Sequence, residues 1–563
     1  MDCPLVGAGD IGCRKRGYNV EETPVLIAGG GPVGMTLALN LARYGVRSLL
    51  VERNPTTTRH PKMDLTNGRS MELFHRLGID EKLRDAGVPR ENAFDILWVT
   101  NMVGHDLHRF HYPSATEKTQ IIRAENDGSH GAQAPLRVSQ IEIEPVLKRA
   151  IDENPLIDVR FGHRFEAFVE NGPDGVIAQI ADSETDEISE VRCRFLAGCD
   201  GGGSRVRRRL AIELEGEENV AGAYMVHFRT DDRDLLQRWG PIFHLQNGAG
   251  TIIAQNDRDI YTLQAWLLPG MNPDEMTPEG VLEGWVGTHF DYEILQANPW
   301  FAHFVVAERY REKSALLAGD AAHQYIPTGG YGMNSGIADA AALSWVLAAR
   351  VQGWGGDGLL DAYDAERRNT AWWHLEASRR HMGVRIQIGE LYASAGDLLD
   401  EGIAGETRRR ELADKIATLG NAENESWGVE FGYRYDQSPV IKHEPDAPAV
   451  DPLIYRGNTW PGARLPHVFL ADGESIHDKL GLFFTLVALD DTDTSALEGA
   501  AVDIGVPVDV LRLRRPDLKT IYERNLILVR PDQHVAWRGD QLPDDCQALL
   551  KLVTGCTLPS QAG

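Results

Sequence analysis

The stretch VLIAGGGPVGMTLALNLARYGVRSLLVERN, Val25 to Asn54, decides the fold. It opens on Val25-Leu26-Ile27-Ala28, apolar and long enough for a buried strand. Gly29, Gly31 and Gly34 follow at G-x-G-x-x-G spacing. Met35, Leu37, Ala38, Leu41 and Ala42 then recur on one helical face. Residues 46–51 predict a second, parallel strand that ends at Glu52. Gly29 allows a tight turn, Gly31 lets the backbone approach a pyrophosphate, and Gly34 lets the helix pack close to the sheet. The helix N-terminus offers free N–H groups and a partial positive charge to phosphates. Glu52 is placed to accept hydrogen bonds from a ribose. The glycine motif alone says little. Strand, glycines, helix, strand and acid in that order predict a dinucleotide-binding βαβ unit.

Around this unit lies a chain of 563 residues, enough for about three domains. Its net charge of −26 argues against a nucleic-acid partner, which needs a basic surface. Cys3, Cys13, Cys193, Cys199, Cys546 and Cys556 are too sparse for a disulfide framework and have no metal-ligand spacing. A reducing, cytoplasmic setting is expected. No apolar run reaches the length of about eighteen residues that a membrane span needs. Residues 1–20 carry Arg14, Lys15 and Arg16 without an apolar core, so they read as a tail rather than a secretory signal.

Downstream, 54–60 is a polar loop, and Ser70, Met71, Leu73, Phe74 and Leu77 predict a helix that stops at Gly78. Arg69 at its start is either a surface charge or a group facing a phosphate or flavin. A strand is expected at 94–99. Residues 101–132 read as loop, and His105, His108, His111 and His130 in them as solvated side chains rather than metal ligands. Gln140 precedes a helix over 141–151, with strands at 158–161 and 165–169 and a hairpin tip at the acidic run 182–190. A strand over 191–198 ends at Cys199-Asp200, followed by three glycines, Ser204 and a basic helix start. That arrangement suits a phosphate-bearing ligand, or a plain turn with Ser204 as cap.

From 210 to 311 short runs at 223–228, 241–245, 250–255 and 259–267 predict an antiparallel sheet rich in aromatic residues. Most of these aromatics are expected in the core. A third strand over 315–318 ends at Gly319-Asp320, and a Pro- and Gly-rich loop leads into a helix over 333–350. The dipole at that helix start suits an anionic cofactor ring. Gly353, Gly355 and Gly358 repeat the G-x-G-x-x-G spacing but follow a helix, so they read as a helix-ending loop before a helix over 359–368.

With these three motifs in order, the chain resembles the FAD-dependent aromatic hydroxylases, single-component monooxygenases of the para-hydroxybenzoate hydroxylase fold. Pro461 to Pro466 and Arg530 to Arg538 resemble the phenol hydroxylase and polyketide hydroxylase branch. The resemblance implies an α/β chain: a Rossmann-like FAD-binding domain interleaved with an antiparallel-sheet substrate domain, then a C-terminal thioredoxin-like α/β domain without C-x-x-C. By position this gives a tail at 1–20 and the FAD-binding domain at 21–209, with a substrate-domain insertion at about 92–135. The substrate sheet follows at 210–311, the returning FAD-binding segment at 312–375, a helical connector at 376–450, and the last domain at 451–563.

Carried over by position, the resemblance implies that Gly29, Gly31, Pro32, Val33 and Gly34 hold the FAD pyrophosphate and that Glu52 takes the ribose, with Arg53 beside it. Arg69, Gln140 and Asp200 would serve the cofactor. Gly319 and Asp320 would hold its ribityl or pyrophosphate region, and the backbone at Gly332, Met333 and Asn334 would face the flavin. Asp64 stands where a phenol hydroxylase has an active-site aspartate, and Tyr224 and Tyr261 are the candidates for a phenol-activating tyrosine. The implied reaction uses NAD(P)H, with NADPH favoured, and O2 to hydroxylate a small phenolic substrate through a C4a-hydroperoxyflavin, in a homodimer. An FAD oxidase or reductase, or a Baeyer–Villiger-type oxygenase, would share the cofactor motifs.

Overall fold

The computed structural model describes residues 20–556 and contains three main sheets with helices between them. The expected N-terminal tail, apart from Val20, lies outside the described residues. Glu21–Ala28 sits in the first sheet, paired parallel with Ser48–Glu52 on one side and Ile188–Gly198 on the other. Val25, Leu26 and Ile27 are fully buried, as a central parallel strand covered on both faces requires. Ile157–Phe161 and Ala315–Leu317 extend this sheet in parallel. His163–Gly172 and Gly175–Asp182 form an antiparallel flap on Ile188–Gly198.

The second sheet has eight strands, with the long Leu214–Arg229 between Glu293–Ala307 and Ile260–Leu267. Gly250–Ala254, His244–Asn247, Ile96–Val99 and Asp106–Phe110 continue it. The join between His244–Asn247 and Ile96–Val99 is parallel, so the sheet is mixed rather than purely antiparallel. The strand Glu293–Ala307 was not expected from sequence. The third sheet orders Val508–Arg512, Phe484–Ala488, Leu526–Val529 and Val535–Gly539, with helices Ser495–Ile504 and Cys546–Val553 beside it.

Two helices depart from the sequence reading. Residues 115–125, expected as loop, form the helix Ala115–Glu125. Its start was legible: Ser114 accepts from the N–H of Glu117, and the Glu117 side chain accepts from the N–H of Ser114. The helix expected to end at 368 runs as Gly358–Ser394, 37 residues, because its second half lies between the sheets and is buried at Ala371, Leu375, Ala377 and Ile388. Gly353 caps the preceding helix Tyr331–Gln352 with φ 87°, so the second glycine triplet is a helix stop. No helix among the described residues is long and apolar enough to cross a membrane. No group of three or more His, Cys, Asp or Glu among them could hold a metal ion.

Candidate active site

The first strand ends in a turn that only glycine can make. Gly29 has φ 116°, and a Cβ there would meet the Cys199 carbonyl oxygen at 2.2 Å. A Cβ at Gly34 would stand 2.0 Å from the Gly29 carbonyl oxygen, so helix Pro32–Arg43 packs directly on the turn. Around Gly31 a Cβ would meet nothing within 4 Å, which leaves its backbone open to a ligand. Pro32 occupies the first helical position, and Val33 wedges against Gly319 and Gly336. Glu52 accepts the N–H of Gly30 at 2.8 Å and that of Asn54 at 2.9 Å. A cavity of about 230 Å³ opens here, lined by Gly29 to Gly31, Glu52, Arg53, Glu144, Asp200 and the cations Lys62, Arg164, Arg205 and Arg208. An open glycine cradle with a cationic rim and an acid at the second strand fits the pyrophosphate and ribose of FAD.

The second half of the site is the short 3-10 turn Gly319–Ala321. Asp320 is exposed and makes no side-chain hydrogen bond among the described residues, so its carboxylate is available to hydroxyl donors. The turn is braced from behind by Asp339, on helix Tyr331–Gln352. Its Oδ2 accepts the Gly319 N–H at 3.0 Å and His323 Nε2 at 2.8 Å, and its Oδ1 accepts Arg367 Nε at 2.7 Å. The side chains of Asp339, His323 and Arg367 are 0% exposed. Burial opposes the Asp339 carboxylate, but Arg367 and His323 outweigh it and hold its pKa below the usual range. Sequence reasoning missed this brace, since an Asp inside an alanine-rich helix gives no sign of what lies opposite it.

Helix Tyr331–Gln352 begins without a side-chain cap, so the amides of Gly332, Met333 and Asn334 are free to face an anionic ring edge. The Asn334 side chain ties this end down. It donates to the Leu65 and Gly330 carbonyls at 3.0 and 2.7 Å and accepts the Asn67 N–H at 3.1 Å. That lashing brings the segment from Asp64 to Asn67 beside the Gly-rich loop. Between them lies a mostly apolar cavity of about 70 Å³, lined by Leu65, Phe94, Gly329, Tyr331, Trp427 and Arg137 among others.

Asp64 sits at the edge of this region. Its Oδ2 accepts from Arg137 at 2.7 Å and from His244 Nε2 at 3.0 Å. Burial opposes its charge; His244 and Arg137 outweigh burial and hold its pKa well below the carboxylate range. Arg137 is the cation of the three at neutral pH, because burial and Arg137 itself push His244 below its ordinary pKa. A folded-state pKa below the unfolded one adds stability above the ordinary carboxylate range, and that stability is lost as the pH falls below about 4. Acid unfolding should therefore show a smaller loss between about pH 5 and 2 in Asp64→Asn than in the wild type, and identical acid limbs would sink the assignment.

Three expected site residues fall elsewhere. Arg69 is buried and turned away from the cofactor cavity; it pairs with Glu72 at 3.0 Å, with Gln533, and with the Asp532 carbonyl at 2.9 Å. It joins the first domain to the C-terminal one, where a buried guanidinium finds the acceptors it needs. Tyr224 and Tyr261 are not in the active site either. Both lie in the apolar core on the other face of the second sheet, with Phe228 and the helix residues Leu282, Trp285 and Val286. Tyr261 stacks on Phe228 and its hydroxyl accepts only from Gln237 at 3.3 Å. Strand alternation is the reason: Tyr224, Val226 and Phe228 point one way while His227 points the other. His244 is on the face that meets Asp64, and sequence reading passed over it.

Two further residues serve through local contacts. Gln140 donates to Glu144 at 2.7 Å, and Glu144 accepts the Thr58 N–H at the same distance, which holds the loop over the ribose end. Asp200 lines the cofactor cavity, but its carboxylate accepts Ser204 Oγ and the N–H groups of Arg205 and Val206, so it caps the helix that follows.

The match to known proteins spans nearly the whole chain. The family model for the FAD binding domain matches residues 22–378, and that for the C-terminal region of aromatic-ring hydroxylases matches 458–555. The FAD-dependent monooxygenase apdD of Emericella nidulans is 37% identical over 92% of this chain and 88% of its own. Phenol 2-monooxygenase of a Pseudomonas species is 28% identical over 96% and 94%. Among solved structures, chromopyrrolic acid-soaked RebC superposes with a TM-score of 0.87 at 33% identity, covering 96% of this chain and 100% of that one. The chain belongs to the FAD-dependent aromatic hydroxylases and is a flavin-dependent aromatic-ring monooxygenase.

Proposed function

We propose that the protein hydroxylates a phenolic ring, using NAD(P)H, with NADPH favoured, as electron donor and O2 as oxygen donor. The observation that carries this is the cavity beside the Gly329–Tyr331 segment, on the scale of a single aromatic ring. Its walls are Phe94, Trp427, Leu65 and Pro135, with Arg137 at one side. Bound FAD supplies the redox and oxygen-activating chemistry. The chain's own residues bind the cofactor, orient the ring and keep water out. Asp64 holds Arg137 at the cavity wall, so a ring oxygen there meets a fixed positive charge.

The test is consumption of NADPH and of NADH by the FAD-loaded enzyme against a panel of substituted phenols, with product and H2O2 counted together. Phenol-stimulated consumption that yields a hydroxylated product supports the reading. Consumption that yields only H2O2 with every phenol moves the function to an oxidase or reductase. Asp64→Ala should slow product formation by about 10- to 100-fold, because Arg137 loses its anchor, while FAD stays bound. Unchanged turnover would remove Asp64 from the site.

A further inference from the structure

The same cavity is lined by a carboxylate to which no motif points. Glu430, on the short helix Trp427–Phe431, faces it together with Lys118, Glu423, Tyr331 and Arg137. The acids of this region are otherwise committed. Glu423 is locked to Arg385 at 2.6 and 3.2 Å, and Asp64 to Arg137 and His244. Glu430 makes no salt bridge among the described residues. Its Oε1 accepts the N–H of Arg69 at 3.2 Å, and the Gly68 amide beside it also favours the carboxylate. Glu430 is half-buried and lines both this cavity and a smaller one beside Gly68 and Gly131.

The geometry points to Glu430 as the group that takes the phenolic proton of a ring bound in this cavity. This rests on the proposal that the cavity takes a phenol. In the step, the phenol O–H bond breaks and its electron pair stays on oxygen. The proton forms a new O–H bond on the Glu430 carboxylate, which later releases it to solvent. Nothing is oxidised or reduced, and the product is a phenolate, the more nucleophilic form of the ring.

The surroundings suit a base that works near neutrality. Burial, first, and the neighbouring Glu72 raise the Glu430 pKa to about 7, against the opposing pull of the Arg69 and Gly68 amides and of Lys118. Two neighbouring helices bring charged groups to it. Helix Gly68–Arg76 brings Glu72 and Arg69, which neutralise each other at 3.0 Å, and Arg464 also pairs with Glu72. Helix Ala115–Glu125 brings Lys118, whose Nζ lies 3.3 Å from His130 Nδ1 and 4.9 Å from the Trp427 ring centroid. Lys118 has no carboxylate partner within salt-bridge distance among the described residues, so its charge is free to favour the phenolate once the proton has moved.

The experiment uses the FAD-loaded enzyme with oxidised flavin, so no turnover is needed, and as probe 3-nitrophenol, which is mostly un-ionised in water at the working pH. Infrared difference spectra follow the carboxylic-acid C=O band while absorbance follows the bound phenolate. A carboxylic-acid band should titrate away as pH rises through about 7 and be absent from Glu430→Gln. Adding 3-nitrophenol at about pH 8 should restore that band in the wild type as the phenolate forms. In Glu430→Gln the share bound as phenolate should fall roughly five-fold at equal occupancy. Glu430→Asp, which keeps a carboxyl, should keep a titrating band. Equal phenolate shares in wild type and Glu430→Gln, or a band that does not depend on residue 430, would overturn the assignment of Glu430 alone. A flavin spectrum that the probe leaves unchanged in all three proteins would overturn the phenol cavity itself, and this inference with it.

Discussion

Asp339→Ala should lower the melting temperature by about 3–4 °C, the equivalent of roughly 3–5 kcal/mol in a chain of this length. The carboxylate receives Arg367, His323 and the Gly319 amide in a place where none of these side chains reaches water. Deleting it leaves a guanidinium buried without a counter-charge, which costs far more than the ion pair contributes over an apolar replacement. The double variant Asp339→Leu with Arg367→Met should therefore recover part of the loss, since it removes both charges. Thermal unfolding of the FAD-free proteins measures both, and a shift under about 1 °C in Asp339→Ala would show that the pair is not what braces the turn.

Asp320→Ala, a few ångströms of chain away, should have the opposite profile. Among the described residues none hydrogen-bonds to or pairs with the Asp320 carboxylate, so the FAD-free protein should keep its stability within about 0.5 kcal/mol. FAD, in contrast, loses the acceptor for its hydroxyls. A charged hydrogen-bond set of about 1.5–3 kcal/mol corresponds to roughly 10- to 100-fold weaker binding, enough for the flavin to be lost on gel filtration. The flavin absorbance ratio of the purified variant is the measurement, and normal flavin content would sink the assignment. Together the two aspartates separate holding the turn from holding the cofactor.

Much of this was legible in the chain because the cofactor cradle is built from local rules. Gly29, Gly31 and Gly34 are dictated by a turn, an approach and a packing distance within one βαβ unit. Glu52 and Asp320 end strands whose burial is visible as unbroken apolar runs. The capping box at Ser114 and Glu117 was equally local, and the helix it starts was readable though not read.

The walls of the proposed substrate cavity obey no such rule. In the strand Ala223 to Phe228 both faces are largely apolar, so alternation could not say which face meets the cofactor layer; the pairing of Phe228 with Tyr261 settles that those rings lie in the opposite core. Arg69 read either as a surface charge or as a group facing a phosphate or flavin; its partners Gln533 and Asp532 come from more than 460 residues away. Glu430 and His244 come from segments with no motif, and they matter only because the connector and the second sheet close on Asp64 to Asn67. The sequence by itself determined the cofactor, its cradle and the class of chemistry, because those depend on residues that are neighbours along the chain. The tertiary structure alone decided which charges line the proposed substrate cavity, because burial and pairing across distant segments set both the position and the protonation of those groups.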